Sequence, residues 1–195
     1  QLDLLQWICG LPKTVQAFCQ IGKWHNIEVE DDVTAYLQFE NGATGVFVTT
    51  TGDAPGTNRF EVTGTLGKLV CENDELTFWK LSEDEREFCR TAKEGFAKPP
   101  CEKITVETDG ENLQHVGVLN AFAGKILRGE PLVAEGCEGI NGLTLSNAMH
   151  LSSWLGHPVE IPFDEELFLS ELNKRRATSQ KKESKEITFS TEGTY

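Results

Sequence analysis

The fold is set by a predicted hairpin, Val33-Thr-Ala-Tyr-Leu-Gln-Phe-Glu-Asn-Gly-Ala-Thr-Gly-Val-Phe-Val-Thr-Thr-Thr51. In its first half Val33, Ala35, Leu37 and Phe39 alternate with more polar residues, which is the period of a half-buried strand. Asn41-Gly42 then predicts a type I′ hairpin turn, because both residues tolerate a positive φ. Residues 45–51 form the return strand, so the sequence predicts an antiparallel pair.

Strands fill the first half of the chain and helices the second. Alternation bounded by turn residues predicts further strands at 15–21, 59–64, 67–72, 75–81 and 104–106. A capping-box match at residues 82–85 predicts a short helix. Apolar residues at helical spacing predict helices over 111–128, with a stripe that includes Leu113 and Leu127, and over 139–155, and Asp164 caps a last one.

Strands that precede helices and are joined by hairpins indicate the fold class. We predict an α+β fold with an open, largely antiparallel β-sheet and helices packed on one face. The other face, with Tyr36, Phe47 and Thr49, is expected to pair with a second subunit, which makes a homo-oligomer.

Composition excludes several classes of protein. Eighteen Lys and Arg against 31 Asp and Glu give a formal net charge of −13, which argues against a nucleic-acid partner because such proteins present a clustered basic face. No apolar stretch approaches the roughly 20 residues of a membrane-spanning helix, so we expect no membrane partner. The six cysteines form no CxxC pair, which predicts reduced, mostly buried thiols in the cytoplasm.

The ends of the chain carry their own expectations. Residues 1–11 have the pattern of an amphipathic helix without an N-terminal cap, so we interpret them as the remainder of a helix cut at its start and the chain as a piece of a longer protein. We predict one α+β domain over 1–173, and a polar tail over 174–195 with a possible short strand at 186–190.

Few residues suggest chemistry by themselves. No GxGxxG follows a strand, and no His or Cys has the spacing of metal ligands, so neither a dinucleotide nor a metal site is predicted. His25 lies in a loop between two strands, a common position for site residues, although a structural role for it is more common. Asn58 and Arg59 end a loop of small polar residues that could contact a polyhydroxylated or anionic substrate; a plain loop is the simpler alternative.

An ordered set of short motifs is similar to one known family. They run Gln1-Leu-Asp-Leu-Leu-x-x-Ile-x-Gly-Leu-Pro12, Val29-Glu-Asp-Asp32, Phe39-x-Asn-Gly-Ala-x-Gly45, Glu61-Val-Thr-Gly-Thr-x-Gly67, Asn120-Ala-Phe-Ala123, Gly129-Glu-Pro-Leu132, Ala134-x-Gly136-x-x-Gly139 and Val159-x-Ile-Pro162. Together they resemble the C-terminal domain of the glucose-fructose oxidoreductase, inositol dehydrogenase and MocA (Gfo/Idh/MocA) family, over residues 1 to about 173.

The resemblance implies a function. Members of the family are NAD(P)-dependent oxidoreductases of sugars, cyclitols and related polyols, in which a Rossmann domain precedes an α+β domain that contributes substrate contacts and oligomer interfaces. The family's catalytic His would stand immediately before Gln1, so we expect no catalytic residue here. We also expect no bound NAD or NADP and no activity from this chain alone.

By the same resemblance Asp3, one helical turn after that His position, is expected to hydrogen-bond a substrate hydroxyl, and solvent contact on the helix face is its alternative role. His25, Asn58 and Arg59 are the other predicted substrate-binding residues. Two alternative hypotheses about the class of protein stay open. One is a stand-alone binding or scaffold module that uses its sheet face, and the other is an unrelated α+β enzyme with its own nucleophile.

Overall fold

The computed structural model describes residues 1–111 and 113–180. Its elements, in chain order, are α1 (Leu2–Cys9), β1 (Thr14–Ile21), β2 (Glu30–Gln38), β3 (Thr44–Thr50), β4 (Arg59–Gly64), β5 (Gly67–Glu72), β6 (Glu75–Leu81), α2 (Glu85–Thr91), β7 (Cys101–Val106), α3 (Gln114–Arg128), α4 (Gly139–Leu155), β8 (Val159–Glu160) and α5 (Glu165–Arg176). They divide into two compact units: the first unit contains α1, β1, β2, β3, α4, β8 and α5, and the second unit contains the elements within Asp53–Val133.

The first unit is built on an antiparallel sheet in the order β3-β2-β1-β8. Ala17 faces Ala35 and Ala35 faces Phe47 across its three long strands, so these residues share one face of the sheet. Helix α4 packs along β1 on this face. The alternation seen in the sequence therefore separates a helix-covered face from an open one.

The core of the first unit lies between this sheet and α4. Leu37, Leu145 and Leu151 are at most 1% exposed, and each stabilises the fold by about 1.5–3 kcal/mol relative to an exposed side chain. The residues that complete the core are at most 6% exposed; they are Val15, Ala17, Val33, Ala35, Ala148, Met149 and Val159.

The open face of the same sheet is strongly apolar. Phe18, Tyr36, Val46 and Val48 lie on it and are 61, 44, 69 and 63% exposed. Tyr36 lies there as predicted. Phe47, by contrast, packs against the core, and Thr49 lies on the same face of the sheet, so their predicted position on the open face was wrong by one residue of register.

The hairpin between β2 and β3 has a different turn from the one predicted. Gly42 is in the left-handed region with φ 85°, but Asn41 is not among the residues with positive φ. The Gly42 N–H donates to the Phe39 carbonyl at 3.0 Å, and the Ala43 N–H donates to the Asn41 side chain at 3.0 Å. This is a type I turn followed by a left-handed glycine, in which the Asn side chain stabilises the loop instead of its own positive φ.

The second unit contains an antiparallel sheet in the order β4-β5-β6-β7. Asn73 and Asp74 connect β5 to β6 with φ values of 53° and 60°, the geometry of a type I′ turn. Helix α2 is capped by Asp84, whose carboxylate accepts from the Arg86 and Glu87 N–H groups; the predicted capping box from Ser82 was therefore wrong.

Helix α3 forms as predicted and ends at Gly129 in the left-handed conformation. Its apolar stripe is not buried in the described part of the chain: Leu113, Leu119 and Leu127 are 57, 67 and 75% exposed.

The α+β class is confirmed, with the strands divided between two open antiparallel sheets. All six cysteines are free, but five are exposed and Cys19 is half-buried, so the prediction of mostly buried thiols was wrong. Within residues 1–111 and 113–180, no helix combines the length and apolar character that spanning a membrane requires. The predicted strand at 186–190 lies outside the described residues, and the predicted boundary at 173 stays a prediction.

Candidate functional site

A cleft of about 250 Å³ opens in the first unit where β2 begins and β3 ends. Its polar wall consists of Glu30, Asp31, Asp32, the run Thr49–Thr51, Ser146 and His150. Its apolar wall includes Leu2, Val33, Phe47 and Met149. A mostly apolar concave surface with a few convergent polar groups is the usual form of a small-molecule site.

A β-bulge shapes the polar wall. Gln20 faces Asp32 and Ile21 faces Glu30, so Asp31 is an extra residue without a partner on β1. A bulge bends the strand and redirects the neighbouring side chains, and bulges are frequent beside active sites. Here it turns Glu30 toward α4 while Asp31 points into the protein.

Asp31 anchors the loop between β1 and β2. Its side chain is fully buried, and its two oxygens accept the backbone N–H groups of Lys23 at 2.9 Å, Trp24 at 2.8 Å and His25 at 2.9 Å. Burial alone would raise the pKa of this carboxyl, but the three N–H donors, with the His25 side chain, hold its pKa below the ordinary value. Asp31 is therefore an anion whose role is to fix the loop.

The His25 ring lies beside the cleft and is half-exposed. Its Nδ1 is 3.1 Å from the hydroxyl oxygen of Thr51, which lines the cleft, and 3.4 Å from Asp31 Oδ2. These contacts position the ring with a carboxylate behind it, an arrangement that favours proton donation or acceptance by an imidazole.

Glu30 and His150 are in direct contact across the cleft. His150 Nε2 is 2.8 Å from Glu30 Oε2, while His150 Nδ1 is 2.9 Å from the Ser146 carbonyl oxygen. A carbonyl oxygen only accepts, so Nδ1 is the donor of that hydrogen bond. The two contacts fix the orientation of the imidazole ring.

Asp32 lies at the outer edge of the cleft. It accepts from Lys23 Nζ at 2.8 Å and from the Trp24 indole N–H at 3.2 Å. The Lys23 ammonium is the main reason that the pKa of Asp32 is lowered. Lys23 also lies 4.7 Å from the centroid of the Trp24 ring, so the ammonium is held by both neighbours.

The four predicted substrate residues are divided between the two units. His25 lies at the cleft; Asp3 lies beside Leu2 but is exposed and accepts from Gln6 Nε2 at 2.9 Å. Asn58 and Arg59 belong to the second unit.

Arg59 has a structural explanation within its own unit. Its guanidinium donates to Glu61 on the same strand and, at 2.6 Å, to Glu72 on the neighbouring strand. These two carboxylates raise the pKa of Arg59 and satisfy its charge. The arrangement favours a strand-stabilising pair over an anion-binding arginine.

Sequence reasoning missed Glu30, the threonine run and His150. The acidic run at 28–32 was visible, but no periodicity in a sequence reveals that a bulge inserts Asp31 and redirects Glu30. No group of three or more His, Cys, Asp or Glu side chains suited to a metal ion occurs among the residues that the structure describes.

The first 70 of the 195 residues match the GFO/IDH/MocA C-terminal domain. The WlbA dehydrogenase from Chromobacterium violaceum, solved in complex with NADH and UDP-GlcNAcA, is 29% identical, and the match covers 84% of this chain and 44% of that one at a TM-score of 0.57. The resemblance to the Gfo/Idh/MocA C-terminal domain is confirmed.

Two further structures are similar in fold to this chain at 18% identity. They are the WlbA dehydrogenase from Bordetella pertussis, covering 84% of this chain and 43% of that one at a TM-score of 0.53, and a levoglucosan dehydrogenase in complex with NADH and levoglucosan, covering 84% and 48% at 0.62. At this identity the likeness shows the fold alone. The chain spans less than half the length of each of these proteins. No curated protein matches it.

Proposed function

We propose that this chain is the substrate-binding and oligomerisation part of an NAD(P)-dependent oxidoreductase acting on a sugar, cyclitol or related polyol. The observation that carries the proposal is the cleft in the first unit, whose walls lie within the segment matching the GFO/IDH/MocA C-terminal domain and on α4. Dehydrogenases solved with NADH share its fold, and one of them also holds levoglucosan, an uncharged sugar, which supports the cofactor and substrate class.

The cleft supplies the hydrogen-bonding groups that a polyol needs. Threonine hydroxyls both donate and accept, and carboxylates accept from adjacent sugar hydroxyls. We assign His25 to the substrate contacts because its ring adjoins Thr51 and stays half-exposed. Asp3, Asn58 and Arg59 stay predictions.

The described residues do not fit a dinucleotide. Both sheets are antiparallel. NAD(P) binds where a parallel strand runs into a glycine-rich turn followed by a helix, and no such arrangement occurs in the described residues. The nicotinamide would supply hydride transfer in the whole enzyme. We propose that the 195-residue chain alone neither binds NADH tightly nor catalyses a reaction. A micromolar dissociation constant for NADH would contradict this proposal.

A titration with myo-inositol tests the binding proposal. Following backbone amides by 15N NMR at pH 7, we expect saturable shifts at Thr49–Thr51 and His25. The His25→Ala variant should bind about tenfold more weakly, equivalent to about 1.4 kcal/mol of lost contact. Unshifted cleft amides at high polyol concentration would refute the proposal.

The open sheet face supports oligomerisation, and the six free cysteines suit a reducing compartment, for which we propose the cytoplasm. The same face supports a second candidate, a stand-alone scaffold module. That function predicts a partner on Val46 and Val48 and no polyol binding in the cleft.

A further inference from the structure

The charges around the cleft are unevenly distributed. Glu30, Asp31 and Asp32 line it, whereas no Lys or Arg occurs among the described residues that form its walls. A ligand in the cleft therefore meets the carboxylates of Glu30 and Asp32 and lies near the buried anion Asp31.

The nearby basic side chains are already engaged. Lys23 is held 2.8 Å from Asp32 and 4.7 Å from the centre of the Trp24 ring. His150 is held between Glu30 at 2.8 Å and the Ser146 carbonyl at 2.9 Å. To contact a bound anion, either side chain would have to leave its partner, and that carboxylate would lose a hydrogen bond.

Uncharged ligands meet no such penalty. The run Thr49–Thr51 offers hydroxyl groups that can donate or accept, and the carboxylates accept from ligand hydroxyls. The volume of about 250 Å³ falls below the roughly 300–1,000 Å³ typical of pockets for drug-sized ligands, so the cleft suits a single ring.

We infer that the cleft selects an uncharged polyhydroxylated ring and rejects the same ring carrying a carboxylate. This selection rests on the proposed function, because it specifies the charge of the substrate. The main selecting group is Glu30, which acts by repulsion of an anion as much as by attraction of hydroxyls, because the charge of Asp32 is already balanced by Lys23.

The test compares D-glucose with D-glucuronate, which differ only in the oxidation state of one exocyclic carbon. Both are titrated into the 195-residue chain at pH 7 and constant ionic strength, with the amides of Thr49–Thr51 as the NMR probe. Glucose should bind at least about tenfold more tightly. If glucuronate binds as tightly as glucose, the proposed charge selection is wrong, while the proposed polyol binding stands. If neither glucose nor myo-inositol shifts these amides, the proposed function fails as well.

A charge-removing variant assigns the effect to the cleft. Glu30→Gln keeps the side-chain size and an acceptor for His150. It should reduce the ratio of the glucuronate to the glucose dissociation constant to about threefold, because one repulsive charge is gone. Glu40→Gln is the matched control, since Glu40 lies in the hairpin loop at the far end of β2 and is exposed. An unchanged preference in Glu30→Gln, or an equal change in Glu40→Gln, would overturn the role of Glu30.

Discussion

Three backbone N–H groups of the loop that carries His25 donate to the buried carboxylate of Asp31. In Asp31→Asn one of the two oxygens becomes an NH₂ group, which cannot accept, so at least one of these part-buried N–H groups loses its partner. Such a loss costs about 1–3 kcal/mol. We expect the amides of Lys23, Trp24 and His25 to exchange with deuterium at least about tenfold faster, because local opening becomes easier by at least about 1.4 kcal/mol.

The matched control is Asp53→Asn, which removes the same charge at an exposed position. It should leave exchange in residues 23–25 unchanged. Equal protection of these three amides in the Asp31 variant and the wild type would show that the loop does not depend on Asp31.

The same carboxylate predicts a pH dependence. Its pKa is lowered in the folded protein, so the stabilisation it gives the loop is fully present above its ordinary pKa of about 4 and is lost as the pH falls through the folded value. The amide shifts of Trp24 and His25 should therefore stay constant from pH 7 to about 4 and change only in more acidic solution. A transition of these amides centred above about pH 4.5, shared by Asp31→Asn, would rule out Asp31 as its source.

The sequence predicted only some of the residues at the cleft. A loop between two strands was enough to select His25. Glu30 and His150 are 120 positions apart in the sequence, and their 2.8 Å contact exists only because the bulge turns Glu30 toward α4. The sequence also did not reveal the environment of Arg59, because Glu72, the cross-strand neighbour that pairs with its guanidinium, lies beyond any local motif.

At the scale of elements, α4 completes the outer edge of β1. Strand β8 pairs only with Thr14 and Val15, so the N–H groups farther along β1 need other partners. The Ala17 N–H donates to Ser152 Oγ at 3.0 Å, and the Cys19 N–H donates to Ser153 Oγ at 2.9 Å. Two helical hydroxyls thus replace a strand.

Ser152→Ala should destabilise the first unit markedly. Ser152 is 1% exposed, and its hydroxyl also donates to the His157 carbonyl at 2.8 Å. Its removal leaves a buried donor without its partner and a carbonyl with one bond fewer, so we expect the free energy of unfolding in urea to fall by about 2–3 kcal/mol. A loss below about 0.5 kcal/mol would mean that the edge of β1 is satisfied in another way.

Ser153→Ala provides the comparison on the same helix. Its bond to Cys19 is only partly buried, so water can replace the lost hydroxyl, and the expected loss is about 1 kcal/mol or less. Both variants remove one side-chain hydroxyl from adjacent positions of α4. The ratio of their losses in the free energy of unfolding therefore measures the effect of burial.

The strand and helix positions were predictable because periodicity and capping are local. Strands β4, β5 and β6 follow the predicted ranges, and Asp164 caps α5 through the N–H groups of Glu166 and Leu167. The detail of turns was less predictable: the type I′ geometry occurs at Asn73-Asp74 and not at Asn41-Gly42, because loop length and strand register select the turn as much as residue type does.

At the scale of the whole molecule, the α+β class follows from the order of strands and helices, whereas the division into two sheets does not. Every neighbouring strand pair except β1 with β8 is consecutive in the chain. Hairpins predict such pairs equally well for one sheet or two. The last pair brings residues near 14 and 160 together, and a two-residue strand has no sequence signal of its own.

The open face of the first sheet leads to the last prediction. Phe18, Tyr36, Val46 and Val48 present a contiguous apolar surface of the kind that marks a protein interface. We expect the chain to form a homo-oligomer, and the double variant Val46→Lys, Val48→Lys to be monomeric in sedimentation velocity, because burying two ammonium groups in an interface costs far more than the contact supplies. Val133→Lys is the control, since Val133 is 86% exposed and lies outside this sheet, so its sedimentation should equal that of the wild type. A wild-type monomer at micromolar concentration would contradict the prediction, and an oligomer that survives the double variant would assign the interface to another surface.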